Sequence, residues 1–265
     1  MTKPTPPVTV YTLTFNEARQ IRAVLESVKW ADELLLVDSF STDGTAEIAK
    51  EYGARILREP FCGFGALRNK ALAAARFDWM VSIDADERCL PAFAAELRQT
   101  LAAPQHAAYY VPRRNFFLDR PIRFCGMYPD YRQPQVFDRR RFRYRAELVH
   151  ESYECDGSVG HFRNPIEQHP LPTLSVVMAK TERYTSLMAQ RYYEAGRRAG
   201  LARMAFNPTA AFLKKYLLQQ GFREGMHGFL FATLHAWYTF LKYAKLWELQ
   251  RRPPAAAPTA PADHG

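Results

Sequence analysis

The chain has 265 residues, 48% of them hydrophobic and 24% charged, enough for a packed core and too apolar for global disorder. Thirty-six Lys and Arg against 27 Asp and Glu give a formal net charge of +9, spread unevenly: +7 over 113–145, +9 over 180–252 and −7 over the rest. An acidic part joined to two basic ones suits a metal or sugar site beside surfaces that face phosphates. Val8 to Thr14 reads as a buried strand ending at Phe15-Asn16-Glu17, and Ile21, Val24, Leu25 and Val28 then recur with helical spacing. Glu33–Asp38 is a second strand, Ser41-Thr-Asp-Gly44 a turn that opens a helix through Lys50, and Ala54–Leu57 a third strand. A helix over about 66–76 and a strand over Trp79–Ile83 complete the alternation. Such alternation predicts a mostly parallel sheet with helices on both faces. Ligands then sit beyond the carboxyl ends of the strands, where Asn16, Glu17, Asp38, Asp84 and Asp86 fall.

Residues 107–165 are rich in Arg and aromatics, with strand-like pieces at 107–111, 135–137 and 143–149, and are expected to add antiparallel strands to the same sheet. Helical patterns run from Thr173 to about Leu201 and from Asn207 to about Arg252, with Gly221, Gly225 and Gly228 dividing the second. The expected organisation is therefore a disordered 1–7, a domain over 8–172, a helical extension over 173–252 and a disordered tail over 253–265. Cys62, Cys89, Cys125 and Cys155 form no C-x-x-C pair, which favours neither zinc nor a compact disulfide framework. Residues 1–7 lack the apolar core of a signal peptide, and Met226–Leu241 falls short of the roughly 20 apolar residues of a membrane span. A cytoplasmic location follows as the expectation.

The sharpest chemical signal is Ile83-Asp84-Ala85-Asp86-Glu87. If the strand continues, Asp84 and Asp86 point the same way. Paired carboxylates suit Mg²⁺ or Mn²⁺, which bind through one or two carboxylates plus substrate phosphates. Taken alone, the pair reads more readily as a solvated acidic turn. Asp38 at a strand end can accept hydrogen bonds from a base or ribose, whereas a capping role suits Asp43 better. Phe64-Gly-Ala-Leu-Arg68-Asn-Lys70 sets Arg and Lys at a helix start, where phosphate oxygens are favoured. Thr12-Leu-Thr-Phe-Asn16-Glu17 closes the first strand with polar side chains, and neither G-x-G-x-x-G nor a Walker A loop occurs. Dinucleotide and P-loop chemistry are thereby disfavoured.

These residues, Thr14–Glu17, Val37-Asp38 with Ser41–Thr45, Gly65–Lys70 and Ile83–Glu87, resemble the family-2 glycosyltransferases of GT-A fold. Gly126-Met-Tyr-Pro-Asp-Tyr131, Val149-His-Glu151 and Tyr238–Lys245 resemble the lipopolysaccharide-core β-1,4-glucosyltransferase branch within them. One departure stands out: Gln135-Val-Phe137 occupies the place where that branch leads us to expect Arg-Leu-Phe. The resemblance implies a Rossmann-like, mostly parallel sheet with an antiparallel addition, followed by a helical region. It implies an inverting transfer of a hexose, glucose from UDP-glucose, to a heptose of the lipopolysaccharide inner core. Thr12, Asn16, Glu17, Asp38, Arg68, Lys70 and Asp84 would hold the nucleotide-sugar, and Asp86 the Mg²⁺ or Mn²⁺ that neutralises the departing UDP. Glu151, beside His150, would be the general base, with Asp130 the second candidate.

Two alternatives stay open at this stage. One is a family-2 transferase with another lipid-linked or surface-polysaccharide acceptor; the other is a basic membrane- or nucleic-acid-binding module on a sugar-nucleotide fold. Arg139–Arg145 could track nucleic-acid phosphates or blunt a strand edge; on the enzyme reading no nucleic acid is expected. Phe212, Leu213, Tyr216 and Leu217 beside Lys214 and Lys215, with Trp237 and Trp247 beyond, fit either a core or dimer contact or an interfacial helix on the inner membrane.

Overall fold

The computed structural model describes residues 5–145 and 152–251. They divide into two units, one built from the chain up to Phe116 with Met127–Pro170, the other from Phe117–Gly126 and the chain from Leu171 onward.

The first unit begins with β1 (Val8–Thr14), α1 (Ala18–Ser27), β2 (Glu33–Asp38), α2 (Thr45–Glu51), β3 (Arg55–Arg58), α3 (Phe64–Ala74) and β4 (Trp79–Ser82). It continues with β5 (Glu87–Arg88), α4 (Pro91–Ala102), β6 (Ala108–Tyr110) and β7 (Arg113–Phe117), whose last residue starts the second unit along with β8 (Arg120–Pro121). β9 (Val136–Asp138), β10 (Phe142–Tyr144), β11 (Tyr153–Cys155), β12 (Val159–His161) and β13 (Ile166–Leu171) follow.

Seven strands form the central sheet in the order β12-β6-β9-β4-β1-β2-β3. β1 is parallel to β2 and β4, β2 to β3 and β6 to β12, while β9 runs antiparallel between β4 and β6. Both faces are buried, and the period of two sorts the strand residues between them. Val8, Val10, Leu36 and Val81 pack under Ile21, Val24 and Leu25 of α1 and Phe93, Leu97 and Leu101 of α4. Tyr11, Leu35, Val37 and Met80 pack under Leu67, Ala71 and Leu72 of α3. α4 has no counterpart among the predicted elements, although its proline at the first turn is a helix-start signal.

Three expectations need correction. Of the antiparallel strands expected over 107–165, only β9 is reversed within the central sheet; β10 pairs with β11 and β5 with β13 outside it. The break expected near 201–207 falls earlier, because Gly196 takes a left-handed φ of 67° just after α5 (Leu174–Glu194). α6 (Leu201–Leu213) therefore starts six residues before the predicted Asn207. Finally, Gly228 does not interrupt the last helix. The second unit runs from α6 through a π-helical turn (Lys214–Leu218) and a 3-10 turn (Gly221–Glu224) into α7 (Met226–Arg251). Gly228 lies within α7 and lets that helix approach the turn: a Cβ there would sit 1.9 Å from the Gly221 carbonyl oxygen. Among the described residues, no helix is long and apolar enough to cross a membrane.

Candidate functional site

At the carboxyl ends of β1 and β2, two loops are stitched together by side chains. Asn16, at a left-handed φ of 57°, accepts the Thr42 amide at 2.9 Å, and its own amide donates to Ser41 Oγ at 2.9 Å. The Glu17 amide donates to Thr45 Oγ1 at 2.8 Å. Asp43 joins the starts of two helices, its Oδ2 accepting the Ala18 amide at 2.9 Å and its Oδ1 the Thr45 amide at 3.1 Å. Burial alone would raise its carboxyl, but the Thr45 hydroxyl and the backbone amides it accepts from hold it below the usual aspartate range.

Asp38, the last residue of β2, is fully buried. Its carboxylate accepts the Thr14 hydroxyl at 3.1 Å and both the hydroxyl and the amide of Ser41, the latter at 3.0 Å. The acid thus shapes loop 39–44 from beneath. Thr12 is buried within β1, two residues short of the strand end.

Beyond β4 the chain does not stay extended. The Glu87 amide donates to the Asp84 carbonyl at 2.9 Å, closing a reverse turn over Asp84–Glu87. The period-two expectation for Asp84 and Asp86 fails there, and the two carboxylates have different partners. Asp84 accepts Arg68 Nη2 at 3.0 Å, while Arg68 Nη1 donates to Ser82 Oγ at 2.6 Å and its guanidinium lies 5.5 Å over the Tyr144 ring. Burial would raise the Asp84 carboxyl, but the charges of Arg68, Arg113 and Arg132 and the Arg68 hydrogen bond outweigh it, keeping it below the ordinary aspartate value and ionised.

Asp86 faces β13 instead. Its carbonyl accepts the His169 amide at 2.8 Å, and its Oδ1 is 3.4 Å from Gln168 Nε2. Gln168 also accepts Arg132 Nη2 at 3.2 Å, and Arg132 clasps Asp130 through Nε at 3.1 Å and Nη2 at 3.0 Å. Asp130, just after the cis Tyr128–Pro129 bond, further accepts Asn115 Nδ2 at 3.2 Å. Asp86 and Asp130, 44 positions apart in sequence, are therefore ends of one polar chain through Gln168 and Arg132.

Under the turn lies a residue absent from the predicted site. Glu87 is fully buried, accepting Arg113 Nε at 2.6 Å, the Asp84 amide at 2.9 Å and Gln135 Nε2 at 3.0 Å. Burial and the neighbouring Asp84 charge push its carboxyl up to about 7, against the pull of Arg113. Gln135, the departure noted in the sequence, is thus a buried support of this acid. Glu87 stood in plain view beside the two aspartates; Arg113, Arg132 and Gln168 carried no local signal.

Lys70 pairs with Glu59 at 2.5 Å, and Asn69 clamps the Tyr144 backbone through Nδ2 at 2.7 Å and Oδ1 at 3.0 Å. His150 and Glu151 lie outside the described residues. Among the described residues, no cluster of three or more His, Cys, Asp or Glu could hold a metal unaided. The donor set fits a hard divalent ion on one condition: Asp86 supplies protein oxygen and a substrate diphosphate completes the shell, Asp84 being held by Arg68.

Acids and arginines gather beyond the carboxyl ends of β1, β2 and β4, on a mostly parallel sheet with one reversed strand, the architecture of a GT-A fold. The glycosyl transferase family 2 model matches residues 9–167, and the chain belongs to that family. It is a glycosyltransferase. It is 30% identical over 262 residues to the lipopolysaccharide core biosynthesis glycosyltransferase LpsC of Rhizobium meliloti, spanning 93% of this chain and 95% of that one. It is 27% identical to an uncharacterized glycosyltransferase of Rickettsia prowazekii, over 91% of this chain and 87% of that one. Among solved structures, glucosyl-3-phosphoglycerate synthase from Mycobacterium tuberculosis with Mn²⁺, UDP and glucosyl-3-phosphoglycerate aligns at 28% identity over 42% of this chain and 44% of that one, with a TM-score of 0.35.

Proposed function

We propose that the protein moves a hexose, glucose from UDP-glucose, with inversion onto a heptose of the lipopolysaccharide inner core. The observation that carries the donor half is the split pair at the β4 turn: Asp84 kept ionised by Arg68, and Asp86 aimed at the Gln168–Arg132–Asp130 chain. The acceptor half rests on the likeness to the R. meliloti enzyme, whose name places it in core biosynthesis and which this chain matches over nearly its full length.

Asp38 and Asn16 hold loop 39–44 in the shape that receives the nucleoside, and Arg68 fixes Asp84 for the ribose. Asp86 would hold Mg²⁺ or Mn²⁺, which supplies Lewis-acid stabilisation of the departing diphosphate. Asp130 is occupied by Arg132 and Asn115, which favours Glu151 as the residue that takes the proton from the acceptor hydroxyl. A glycolipid acceptor would bring the enzyme to the cytoplasmic face of the inner membrane as a peripheral protein.

The test is a panel of nucleotide sugars with Mg²⁺ or Mn²⁺ and a heptose-terminated core acceptor. UDP-glucose should turn over fastest, and only with the divalent ion present. Turnover of a different donor, or none with heptose acceptors beside ready transfer to another glycan, would replace this reading.

A further inference from the structure

The second unit presents an apolar face that its own core does not use. None of the thirteen residues of α6 is buried. Ala202, Phe206, Ala210, Leu213 and Leu217 recur at helical spacing along its exposed side, continuing into the π-helical turn. Phe212 and Tyr216, which the sequence grouped with Leu213 and Leu217, belong to the opposite side: they stack at 5.2 Å and each meets Phe229 of α7 at 6.0 Å. In the turns that follow, Leu218, Phe222 and Met226 are exposed as well, Phe222 with its ring 6.4 Å from that of Tyr216. Exposure is high at Leu201 (82%), Phe206 (73%), Leu218 (80%) and Met226 (68%), far more than scattered surface hydrophobics require.

Charge narrows what could cover this face. Residues 197–226 contain six basic side chains, Arg197, Arg198, Arg203, Lys214, Lys215 and Arg223, against a single acid, Glu224. That acid is buried, its Oε1 accepting the Arg123 and Phe124 amides at 2.8 and 2.9 Å. Within residues 197–226 the exposed charge is therefore all positive, and the exposed Asp119 lies 3.9 Å from His227 just beyond them. A second copy of the same face would set cations against cations. An anionic bilayer answers both properties, with headgroups for Arg and Lys and acyl chains for Leu, Phe and Met.

We propose that the outer side of α6 and the turn 214–226 is a docking surface for an anionic phospholipid bilayer, on which the unit lies without crossing. It deepens the glycolipid-acceptor reading and rests on it for its purpose, but its evidence is separate.

The experiment is co-sedimentation of the full chain with vesicles of phosphatidylcholine alone or mixed with phosphatidylglycerol, at low and raised salt. Binding should require phosphatidylglycerol and weaken by about tenfold or more when salt is raised. The Leu218→Glu/Phe222→Glu variant should lose vesicle binding by about tenfold or more, yet keep its melting temperature and its transfer to a water-soluble acceptor sugar. Lys214→Glu/Arg223→Glu should lose the preference for phosphatidylglycerol. Unchanged binding in these variants, or no binding by the folded wild type, overturns the surface. So does light scattering that finds a dimer abolished by Leu218→Glu/Phe222→Glu, since the face then belongs to a second copy. Vesicle binding without transfer to any acceptor would instead sink the enzymatic reading and leave the surface standing.

Discussion

Glu87 joins the turn that carries Asp84 to Arg113 and Gln135, and its titration has a definite sign. Its folded value of about 7 lies above the ordinary 4.5, so the folded state holds the proton more tightly than the unfolded chain. The stability this contributes is fully present below about pH 4.5 and is lost as pH rises through about 7. One pKa unit corresponds to about 1.4 kcal/mol, so the swing is on the order of a few kcal/mol. Glu87→Gln removes that titration. Urea melts between pH 4.5 and 8 should show wild type losing stability relative to the variant as pH rises; parallel curves would mean Glu87 does not titrate there. Asp86→Asn should keep the fold and lose divalent-dependent turnover by about 10²-fold or more, because the proposed metal ligand loses its charge. Glu151→Gln should spare UDP-sugar binding and lower kcat by about 10²-fold, as for a lost general base. If Asp130→Asn is the inactive variant instead, proton transfer belongs to Asp130.

At the scale of elements, the β1–α1 and β2–α2 connections behave as one piece. Asp43 caps the first turns of α1 and α2 at once, and Asn16 and Asp38 hold the intervening hydroxyls. Removing such a cap costs about 1 kcal/mol of stability. Asp43→Ala should therefore lower the melting temperature slightly and, on the proposed function, weaken UDP binding by a larger factor, because the loop proposed to receive the nucleoside loosens. Equal Kd values for UDP in the two proteins, from calorimetry, would show that this loop does not meet the nucleotide. Corresponding order comes to β10 from α3, through the two-sided clamp of Asn69 on Tyr144.

For the molecule as a whole, the charge imbalance noted in the sequence resolves into separate jobs. Much of the Arg-rich stretch 113–145 is engaged with acids: Arg113 with Glu87, Arg132 with Asp130, Arg140 with Asp138, and Arg143 with Glu154. The later basic stretch rims an apolar surface with no exposed acid between 197 and 226. A ligand that binds only the folded state stabilises it by mass action, about 2.7 kcal/mol at a hundredfold excess over Kd. UDP with Mn²⁺ should therefore raise the melting temperature of wild type, and Asp86→Asn should abolish the metal-dependent part of that rise. A metal-independent rise of equal size in both proteins would remove Asp86 from the ion's shell.

Local pattern alone was enough to determine the strand–helix alternation from β1 to β4, though not α4 after it, because buried strands and amphipathic helices each impose their own period on hydrophobic residues. It also located Asp38 at the end of β2, Asp84 and Asp86 just past the end of β4, and Asp43 as a cap at the start of α2, since these depend on neighbours a few positions away. Tertiary structure decided what those acids touch. The turn at Asp84–Glu87 sends Asp84 to Arg68 and Asp86 to Gln168, partners 16 and 82 positions distant. Gln135 reads in sequence as a lost arginine and in space as a buried donor to Glu87. Phe212 and Leu213 are adjacent and equally apolar, yet one packs on Phe229 and the other is exposed. Hydrophobic periodicity marks which residues can be buried together; only the neighbour that arrives from elsewhere in the chain decides which face it covers and which it leaves open.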